Sequence, residues 1–204
     1  MIDSFDVIVI GAGPAGMAAA CSAASSGART LLLDENAGPG GQIYRAIAAS
    51  PFKSGRILGH AYWVGENWIN RLKRSGAEHR PRTTVWSLRA TGDGVEIGTL
   101  GDGVGQILKA RQAIVATGAM ERPMPVPGWT LPGVMTVGAA QTLLKSSAMV
   151  PQGEAVLAGT GPLLYLFARQ LIAAGAPPAL VLDTTPRANR LRALAHLPSF
   201  IASR

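Results

Sequence analysis

The feature that most constrains the fold is a glycine-rich turn at residues 11–16 (GAGPAG). Before it stands a nearly continuous apolar run at residues 5–10 (FDVIVI), which is typical of a strand buried on both faces of a parallel sheet. After it, an alanine-rich stretch at residues 17–25 ends before Gly27, and a second apolar run follows at residues 30–33. The pattern predicts a strand, a helix and a second strand, and a right-handed crossover makes the two strands parallel.

The spacing of the glycines in this turn is that of a dinucleotide-binding motif. Gly11 permits the tight turn, Gly13 lets the backbone approach a pyrophosphate, and Gly16 lets the helix pack closely on the sheet. Pro14 and Ala15 lie at the helix N-terminus, where N–H groups and the helix dipole attract phosphate. A purely structural glycine turn is the alternative, and the complete strand, helix and strand context disfavours it.

Two acids, Asp34 and Glu35, close the second predicted strand. At this position an acid accepts hydrogen bonds from ribose hydroxyls, whereas a basic residue suits a 2′-phosphate. The sequence therefore predicts a nucleotide site formed by the glycine turn and Asp34, with Glu35 beside it.

The middle of the chain predicts a helix followed by a small antiparallel meander. Residues 61–74 have apolar positions three and four apart, and Gly76 follows them as a helix stop. Three short apolar runs then alternate with the turn-forming segments TGDG and GDG. These runs are residues 84–88, 95–99 and 106–110. A further run at residues 113–116 (AIVA) predicts another buried strand, and the proline-rich residues 123–132 predict an ordered loop or connection.

The opening pattern recurs late in the chain. An apolar run precedes Gly159 and Gly161, a helix-like stretch follows, and a further apolar run ends at Asp183. A repeat of this size indicates a second Rossmann-like, nucleotide-binding unit. We therefore expect an α/β protein with one domain at residues 1–150 and the beginning of another at residues 151–204. Because such a domain usually needs about 100 residues, we expect the chain to be part of a longer protein.

The second motif departs from the first at two positions. Leu164 stands where the third glycine belongs, so the helix and the strand must lie farther apart or shift. Asp183 comes one residue later after its motif than Asp34 does after the first. Gly159 and Gly161 are therefore candidates for a working NAD(P) site and, equally, for an altered nucleotide site.

Composition and charge disfavour several classes of protein. Lys and Arg number 19 against 12 Asp and Glu, which is compatible with nucleic acid, an anionic lipid or an anionic ligand as a partner. The densest basic stretch, residues 71–82, has no interleaved aromatic side chains, and we expect a solvated helix end and loop there. A single cysteine, Cys21, and three histidines disfavour a zinc site. The acidic start MIDSFD and the early glycines argue against a signal peptide and a membrane span. We expect a cytoplasmic location, peripheral to a membrane only through partners, and no bound metal or nucleic acid.

Four segments of the chain carry a resemblance to a known enzyme family. They are DVIVIGAGPAGMAAA, LLLDE, GPGGQIYR and IVATGAMERPMPVPGWTLPGVMT. Together they resemble the FAD-dependent pyridine nucleotide-disulfide reductase-type oxidoreductases. The combination of the last two is most similar to the FAD/NAD(P)-binding subunits of opine oxidases, hydrogen cyanide synthases and proline or hydroxyproline dehydrogenases.

The resemblance assigns two further groups of residues to an FAD site. They are Gly40, Gly41 and Gln42 in one group, and Ala116, Thr117 and Gly118 in the other. The first group is implied to lie along the ribityl chain and pyrophosphate, and the second to form a small turn close to bound FAD. The alternatives are an ordinary glycine turn before a helix and a plain strand-to-loop turn.

The function that the resemblance implies is that of an FAD-dependent oxidoreductase subunit. In such an enzyme a hydride from an amine, opine or imino-acid substrate reaches the flavin, and electrons leave through a partner subunit or acceptor. The residues themselves identify no catalytic side chain, and Cys21 lies among alanines, which argues against thiol-disulfide exchange. We expect the 204-residue chain alone to be a weak flavoprotein with little turnover. The alternative is a non-catalytic nucleotide-binding module or an inactive fragment of such an enzyme.

Overall fold

The strand, helix and strand expected at the N-terminus are confirmed. The computed structural model describes residues 4–196 and 198, and in it β1 spans Ser4–Ile10, α1 spans Pro14–Ser25 and β2 spans Thr30–Leu33. β1 and β2 run parallel, with Ile10 opposite Leu33 at their carboxyl ends. All four residues of β2 are buried, as a continuous apolar run predicts for an inner parallel strand.

A short helical region follows β2. It contains a single 3₁₀ turn at Ile47–Ala49 and three helices, α2 (Gly55–Leu58), α3 (His60–Trp63) and α4 (Gly65–Arg74). The expectation of one helix over residues 61–74 is therefore wrong, because Val64 ends α3 and precedes α4. Beside this break, Gly65 lies so close to the Tyr44 ring that a Cβ would come within 2.5 Å of it.

The expected helix end is present in the basic stretch, since α4 ends at Arg74, but the rest of the stretch is not all loop. β3 (Glu78–Arg80) lies inside it and pairs in parallel with β2, Leu33 opposite Arg80. Its residues are Glu, His and Arg, so no apolar pattern marks this short edge strand.

The expected meander is present, and it belongs to the same sheet as β1 and β2. It consists of β4 (Thr83–Thr91), β5 (Gly94–Gly101) and β6 (Val104–Val115), with β5 antiparallel to both neighbours. A separate strand at residues 113–116 is wrong, because β6 continues through Gln112 and pairs in parallel with β1. A polar residue does not end a strand whose backbone pairing continues. The six strands lie in the order β3-β2-β1-β6-β5-β4.

Apolar side chains of β1, β2, β5 and β6 form one buried cluster. Its members are Phe5, Ile8, Ile10, Leu31, Leu33, Ile97, Leu108 and Ala110. Each fully buried aliphatic side chain contributes on the order of 1.5–3 kcal/mol, so the cluster ties the parallel strands firmly to the meander. It also fixes the carboxyl ends of β1 and β2, where the glycine turn begins.

The described residues divide into two compact units. The first comprises residues up to Pro123 together with Leu144–Ala148, and the second comprises Met124–Leu143 and the described residues from Met149 onward. The domain boundary after residue 150 stays a prediction, and residues 124–143 group with the second unit.

The second strand, helix and strand arrangement is present but small. After the proline-rich residues 123–132, which form no helix or strand, the elements are α5 (Val137–Ser147), β7 (Val156–Gly159), α6 (Pro162–Ala173), β8 (Leu180–Asp183) and α7 (Arg187–Leu194). β7 and β8 pair in parallel as a two-stranded sheet. α5 has no counterpart in the sequence prediction. No helix in the described part of the chain has the length and apolar character that a membrane crossing requires.

Candidate functional site

The strand order creates a topological switch point in the first unit. The chain leaves β1 for β2 on one side, and β6 returns on the other side, parallel to β1. In open α/β sheets, ligands bind at the carboxyl ends of the strands where the order reverses in this way. β1 and β6 end at Ile10 and Val115, and Gly11 and Ala116 follow them directly. The candidate site is therefore the edge of the sheet at which the glycine turn lies.

Two glycines of this turn are required by the packing of the protein itself. Gly11 has φ +100° and donates its N–H to the Leu33 carbonyl at 2.7 Å. A Cβ on Gly11 would lie 2.5 Å from the Ala116 carbonyl oxygen. A Cβ on Gly16 would lie 1.7 Å from the Gly11 carbonyl oxygen. Both glycines therefore let α1 pack directly against the ends of β1 and β6.

Gly13 is different, because nothing in the chain itself requires a glycine there. Its φ of −70° is open to any residue, and a Cβ would meet only the Gly41 Cα, at 3.8 Å. No side chain caps α1, which begins directly afterwards at Pro14. Except for this ordinary van der Waals contact, the space at Gly13 is open, and it lies beside an uncapped helix N-terminus, which is the environment that binds a phosphate group.

The loop at Gly40 and Gly41 lies against the same turn. Gly40 donates its N–H to the Ala12 carbonyl at 2.8 Å, and a Cβ on Gly41 would come within 2.8 Å of the Gly13 Cα. Both have positive φ, +135° and +58°, which favours glycine at each position. Gln42 follows with an exposed side chain.

The third segment assigned to the site begins at the end of β6. Ala116 donates its N–H to the Ile10 carbonyl at 2.8 Å, and its own carbonyl lies beside Gly11. Thr117 and Gly118 are exposed, and Gly118 has φ +73°. All three glycine-containing segments that the sequence assigns to an FAD site therefore converge on one edge of the sheet.

Asp34 has a structural role that its motif does not reveal. Its side chain is only 6% exposed, and its Oδ2 accepts a hydrogen bond from the Ala12 N–H at 2.5 Å. Its Oδ1 accepts two more from Asn36, from the backbone N–H at 2.7 Å and from Nδ2 at 2.8 Å. A carboxylate has about four acceptor positions, so about one remains for a ribose hydroxyl. Glu35 beside it is exposed.

Two cationic residues that the sequence analysis does not assign to the site contact the loop at Gln42. Arg45 donates from Nη1 to Asn36 Oδ1 and from Nη2 to Gln42 Oε1 at 3.3 Å. Lys145 of α5 donates from Nζ to the Gln42 carbonyl at 3.0 Å and to the Ile43 carbonyl at 3.1 Å. Burial lowers the pKa of Lys145 to about 8, and the Arg45 charge acts in the same direction. The GGQIYR segment points to Arg45, whereas no sequence signal connects Lys145 with a residue 103 positions earlier.

The second glycine motif is packed differently from the first. Gly159 and Gly161 have φ +152° and +93°, and a Cβ on either would meet no atom within 4 Å. Leu164 is buried in place of the third glycine, whereas a Cβ at the equivalent Gly16 would clash. α6 therefore cannot approach the end of its strand as closely as α1 approaches the Gly11 carbonyl.

Asp183, the acid of the second motif, is engaged by its own unit. Its Oδ2 accepts a hydrogen bond from the Tyr165 hydroxyl at 2.5 Å, and its Oδ1 accepts one from the Thr185 N–H at 2.8 Å. Arg190 Nη2 lies 3.4 Å from Oδ2. Hydrogen bonds from Thr185 and Tyr165 lower the pKa of Asp183 to about 2. A ribose at this motif has to share Asp183 with Tyr165, and Leu164 keeps α6 from a close approach, so these residues fit NAD(P) less well than the first motif fits a dinucleotide, and the NAD(P) site stays a prediction.

Metal and thiol chemistry find no support in the described residues. Among them, no group of three or more His, Cys, Asp or Glu side chains is placed to hold a metal ion. Cys21 is 1% exposed inside α1, where its thiol cannot meet a disulfide substrate.

Comparison with known proteins identifies the family. Residues 5–193 match the model of the pyridine nucleotide-disulphide oxidoreductase family. The chain is similar to an opine oxidase subunit of Agrobacterium tumefaciens (strain Ach5), with 48% identity over 206 residues that cover 98% of this chain and 41% of that protein. It is similar to hydrogen cyanide synthase subunit HcnB of Pseudomonas protegens, with 39% identity over 176 residues that cover 84% of this chain and 37% of that protein.

Solved structures have the same fold. L-proline dehydrogenase from P. horikoshii matches with a TM-score of 0.73 at 20% identity, over 89% of this chain and 36% of that one. Thioredoxin reductase from T. acidophilum matches with a TM-score of 0.59 at 23% identity, over 87% of this chain and 55% of that one. These likenesses confirm the expected Rossmann-like α/β fold.

The chain spans about two-fifths of the length of the opine oxidase and hydrogen cyanide synthase subunits that it matches. The family match itself runs from β1 to α7. It confirms the class of enzyme that the motifs predict, for which FAD is the cofactor. The chain belongs to the pyridine nucleotide-disulphide oxidoreductase family.

Proposed function

We propose that the first unit binds FAD at the carboxyl edge of its sheet, and that the chain is the FAD-binding part of a flavin-dependent oxidoreductase. The observation that carries this proposal is the open space at Gly13, where the Gly41 loop and the uncapped start of α1 meet. The neighbouring Gly11 and Gly16 are tightly packed, but Gly13 is not. A pyrophosphate at Gly13 would meet backbone N–H groups and the positive end of α1.

The other residues of the edge would hold the rest of the cofactor. Asp34 and the exposed Glu35 would accept hydrogen bonds from the ribose, and Gln42 and Thr117 belong to the two segments that would line the flavin side. FAD, when bound, supplies the acceptor for a hydride. The task of the chain is to bind and orient it, since binding and orientation are what a protein adds to cofactor chemistry.

The substrate that we propose contains a carbon–nitrogen single bond, as opines, amines and imino acids do. The support is the likeness to relatives named as an opine oxidase subunit and as the alpha subunit of sarcosine oxidase, the latter from Corynebacterium sp. (strain P-1) at 33% identity. Oxidation of such a substrate would take a hydride from the carbon beside nitrogen, which bound FAD would accept, and a proton from nitrogen, which water would accept, leaving an imine. The two electrons would then pass to a partner subunit or acceptor, since these relatives are named as subunits.

Titration of the flavin-free protein with FAD tests the binding site. Gly13→Ala should fold, because the added Cβ meets only the Gly41 Cα at 3.8 Å, but should lose most of its FAD affinity because the methyl group takes the space of a phosphate. Gly92→Ala is the matched control, since its Cβ meets nothing within 4 Å in the β4–β5 turn. Unchanged FAD affinity in folded Gly13→Ala refutes this placement of the cofactor.

Anaerobic mixing of the FAD-loaded protein with an opine tests the reaction class. Loss of the absorbance of oxidised flavin supports oxidation of a carbon–nitrogen bond. Because we expect little turnover from the chain alone, the mixing is repeated with a partner subunit added. Flavin that stays oxidised there with opines, secondary amines and imino acids favours the alternative of a nucleotide-binding module without catalysis.

A further inference from the structure

We propose that Lys145 is a positioning residue of the FAD site, which holds the Gln42 loop through its ammonium group and makes flavin affinity depend on pH. This inference rests on the proposed function, because the loop is one of the segments that we place along FAD.

The first support is the burial and bonding of the Lys145 side chain. Only 6% of Lys145 is exposed, and a buried ammonium is costly unless it is hydrogen-bonded. Its Nζ donates to two consecutive main-chain carbonyls, those of Gln42 and Ile43, at 3.0 Å and 3.1 Å. The side chains of both residues are exposed, while their carbonyls turn to Lys145. The ammonium thus fixes which face of this loop points outward.

The second support is the continuity of this loop with the turn at Gly13. Gln42 directly follows Gly41, whose backbone lies against the Gly13 Cα. A movement of the Gln42 carbonyl therefore displaces the backbone that borders the open space at Gly13. The pyrophosphate of FAD carries negative charge, and a buried cation close to this loop favours its binding.

We assign the pH dependence of FAD affinity to Lys145 by comparing it with the charged and titratable groups around it. Arg45 of the same loop connects through Asn36 to Asp34. On α3, the Tyr62 hydroxyl donates to the Arg45 carbonyl at 2.9 Å, and burial raises the pKa of Tyr62, with Glu66 of α4 acting in the same direction.

Lys145 titrates below Tyr62, since burial lowers the pKa of Lys145 to about 8 and raises the pKa of Tyr62 above its ordinary value. Bound phosphates favour the ammonium, so the pKa of Lys145 is higher with FAD bound than without it. The added affinity is present in full below about pH 8 and is lost as the pH rises through the pKa of the complex.

The experiment compares FAD affinity at pH 7 and pH 9.5 in wild type, Lys145→Met, Lys145→Arg and Lys73→Met. Wild type should lose about tenfold in affinity at the higher pH, as charge-assisted hydrogen bonds become ordinary ones. Lys145→Met should bind weakly at both pH values, and Lys145→Arg should bind well at both, because a guanidinium stays charged. Lys73→Met, at an exposed lysine of α4, should follow wild type.

Two results overturn the proposal. One is equal affinity of wild type at both pH values, and the other is a folded Lys145→Met with the pH profile of wild type. If Lys145→Met does not fold, Lys145→Arg decides, because it must lose the pH dependence that wild type shows. A wild type that binds no FAD at either pH overturns the proposed function, whereas FAD binding without pH dependence overturns only the role of Lys145.

Discussion

In the turn after β1, glycine meets two separate physical requirements. Gly11 and Gly16 are glycine because backbone atoms of the protein lie within 2.5 Å and 1.7 Å of where a Cβ would be. Gly13 meets no such constraint, and the space beside it suits a ligand. The motif predicts all three positions equally well, but only the packed structure separates the glycines that stabilise the fold from the one reserved for binding.

Gly16→Ala should therefore destabilise the protein even without FAD. The added methyl group forces α1 away from the Gly11 carbonyl, and overpacking of this kind costs about 1–3 kcal/mol or more. Urea unfolding of the flavin-free protein measures the loss. Gly13→Ala is the matched variant and should lose less than about 1 kcal/mol, the usual difference between these residues at a helix N-cap. A Gly13→Ala protein less stable than Gly16→Ala contradicts this division of roles within the turn.

Asp34→Asn should lower the stability of the flavin-free protein as well as its affinity for FAD. An amide can still accept from the Ala12 N–H, but its NH₂ group then faces the two donors of Asn36. Leaving buried donors without an acceptor costs about 1–3 kcal/mol. Glu35→Gln, at the exposed neighbour, is the control and should leave stability unchanged in the same urea titration. If Asp34→Asn lowers FAD affinity alone, the carboxylate serves the ribose and not the turn.

Among the elements, periodicity of apolar side chains decides which ones could be predicted. β1, α1 and β2 carry a clear apolar pattern and lie where the sequence predicts them. β3 could not be predicted, because backbone pairing at a sheet edge holds three polar residues without an apolar signal. The sequence could not predict that β6 is continuous for the same reason, since Gln112 is polar yet pairs with β1 opposite Val7.

The repeated glycine motif shows that one element pattern can serve different tasks. α1 and α6 both begin with proline after a glycine, but Leu164 keeps α6 from the close approach that Gly16 allows. In the second motif Tyr165 already bonds the acid that would receive a ribose. The second motif thus has the same turn without the close approach of the helix, and Tyr165 shares its acid.

Tyr165→Phe should strengthen binding of NAD⁺ to the second motif. Removing the hydroxyl frees Asp183 Oδ2, and a ribose then no longer shares that oxygen with a hydrogen bond whose net worth corresponds to about two- to tenfold in affinity. Equilibrium dialysis with NAD⁺ and NADP⁺ on FAD-saturated protein measures the change. Equal affinities for NAD⁺ in wild type and Tyr165→Phe mean that Tyr165 does not compete with the ribose for Asp183.

For the whole molecule, the convergence of distant segments is what single motifs could not predict. Gly13, Gly41 and Ala116 were assigned separately to FAD by a motif and a resemblance. Their proximity depends on β6 lying beside β1, a pairing that joins the meander to the parallel strands in one sheet. The role of Lys145 could not be predicted for the same reason, because its contact with the Gln42 loop exists only in the folded chain.

The two units should also differ in local stability. The first contains a six-stranded sheet with a buried cluster, and the second a two-stranded sheet whose Val156, Leu180 and Leu182 are exposed. A two-stranded sheet is marginally stable by itself. Amide hydrogen exchange should therefore be much faster in β7 and β8 than in β1 and β2. Equal protection in the two sheets contradicts this expectation.

β6 is a partner of β1 along one part of its length and of β5 along another. The first and the last strands of this unit to be synthesised therefore meet at the centre of the sheet. Pairings between residues so far apart in sequence form late in folding, after the intervening chain has been enclosed. During translation, the carboxyl edge of the sheet, at which we place FAD, is incomplete until Ala116 has left the ribosome. Ala116 follows the meander in the chain. We expect FAD to join this protein only after the unit has been translated, as the last step of its maturation.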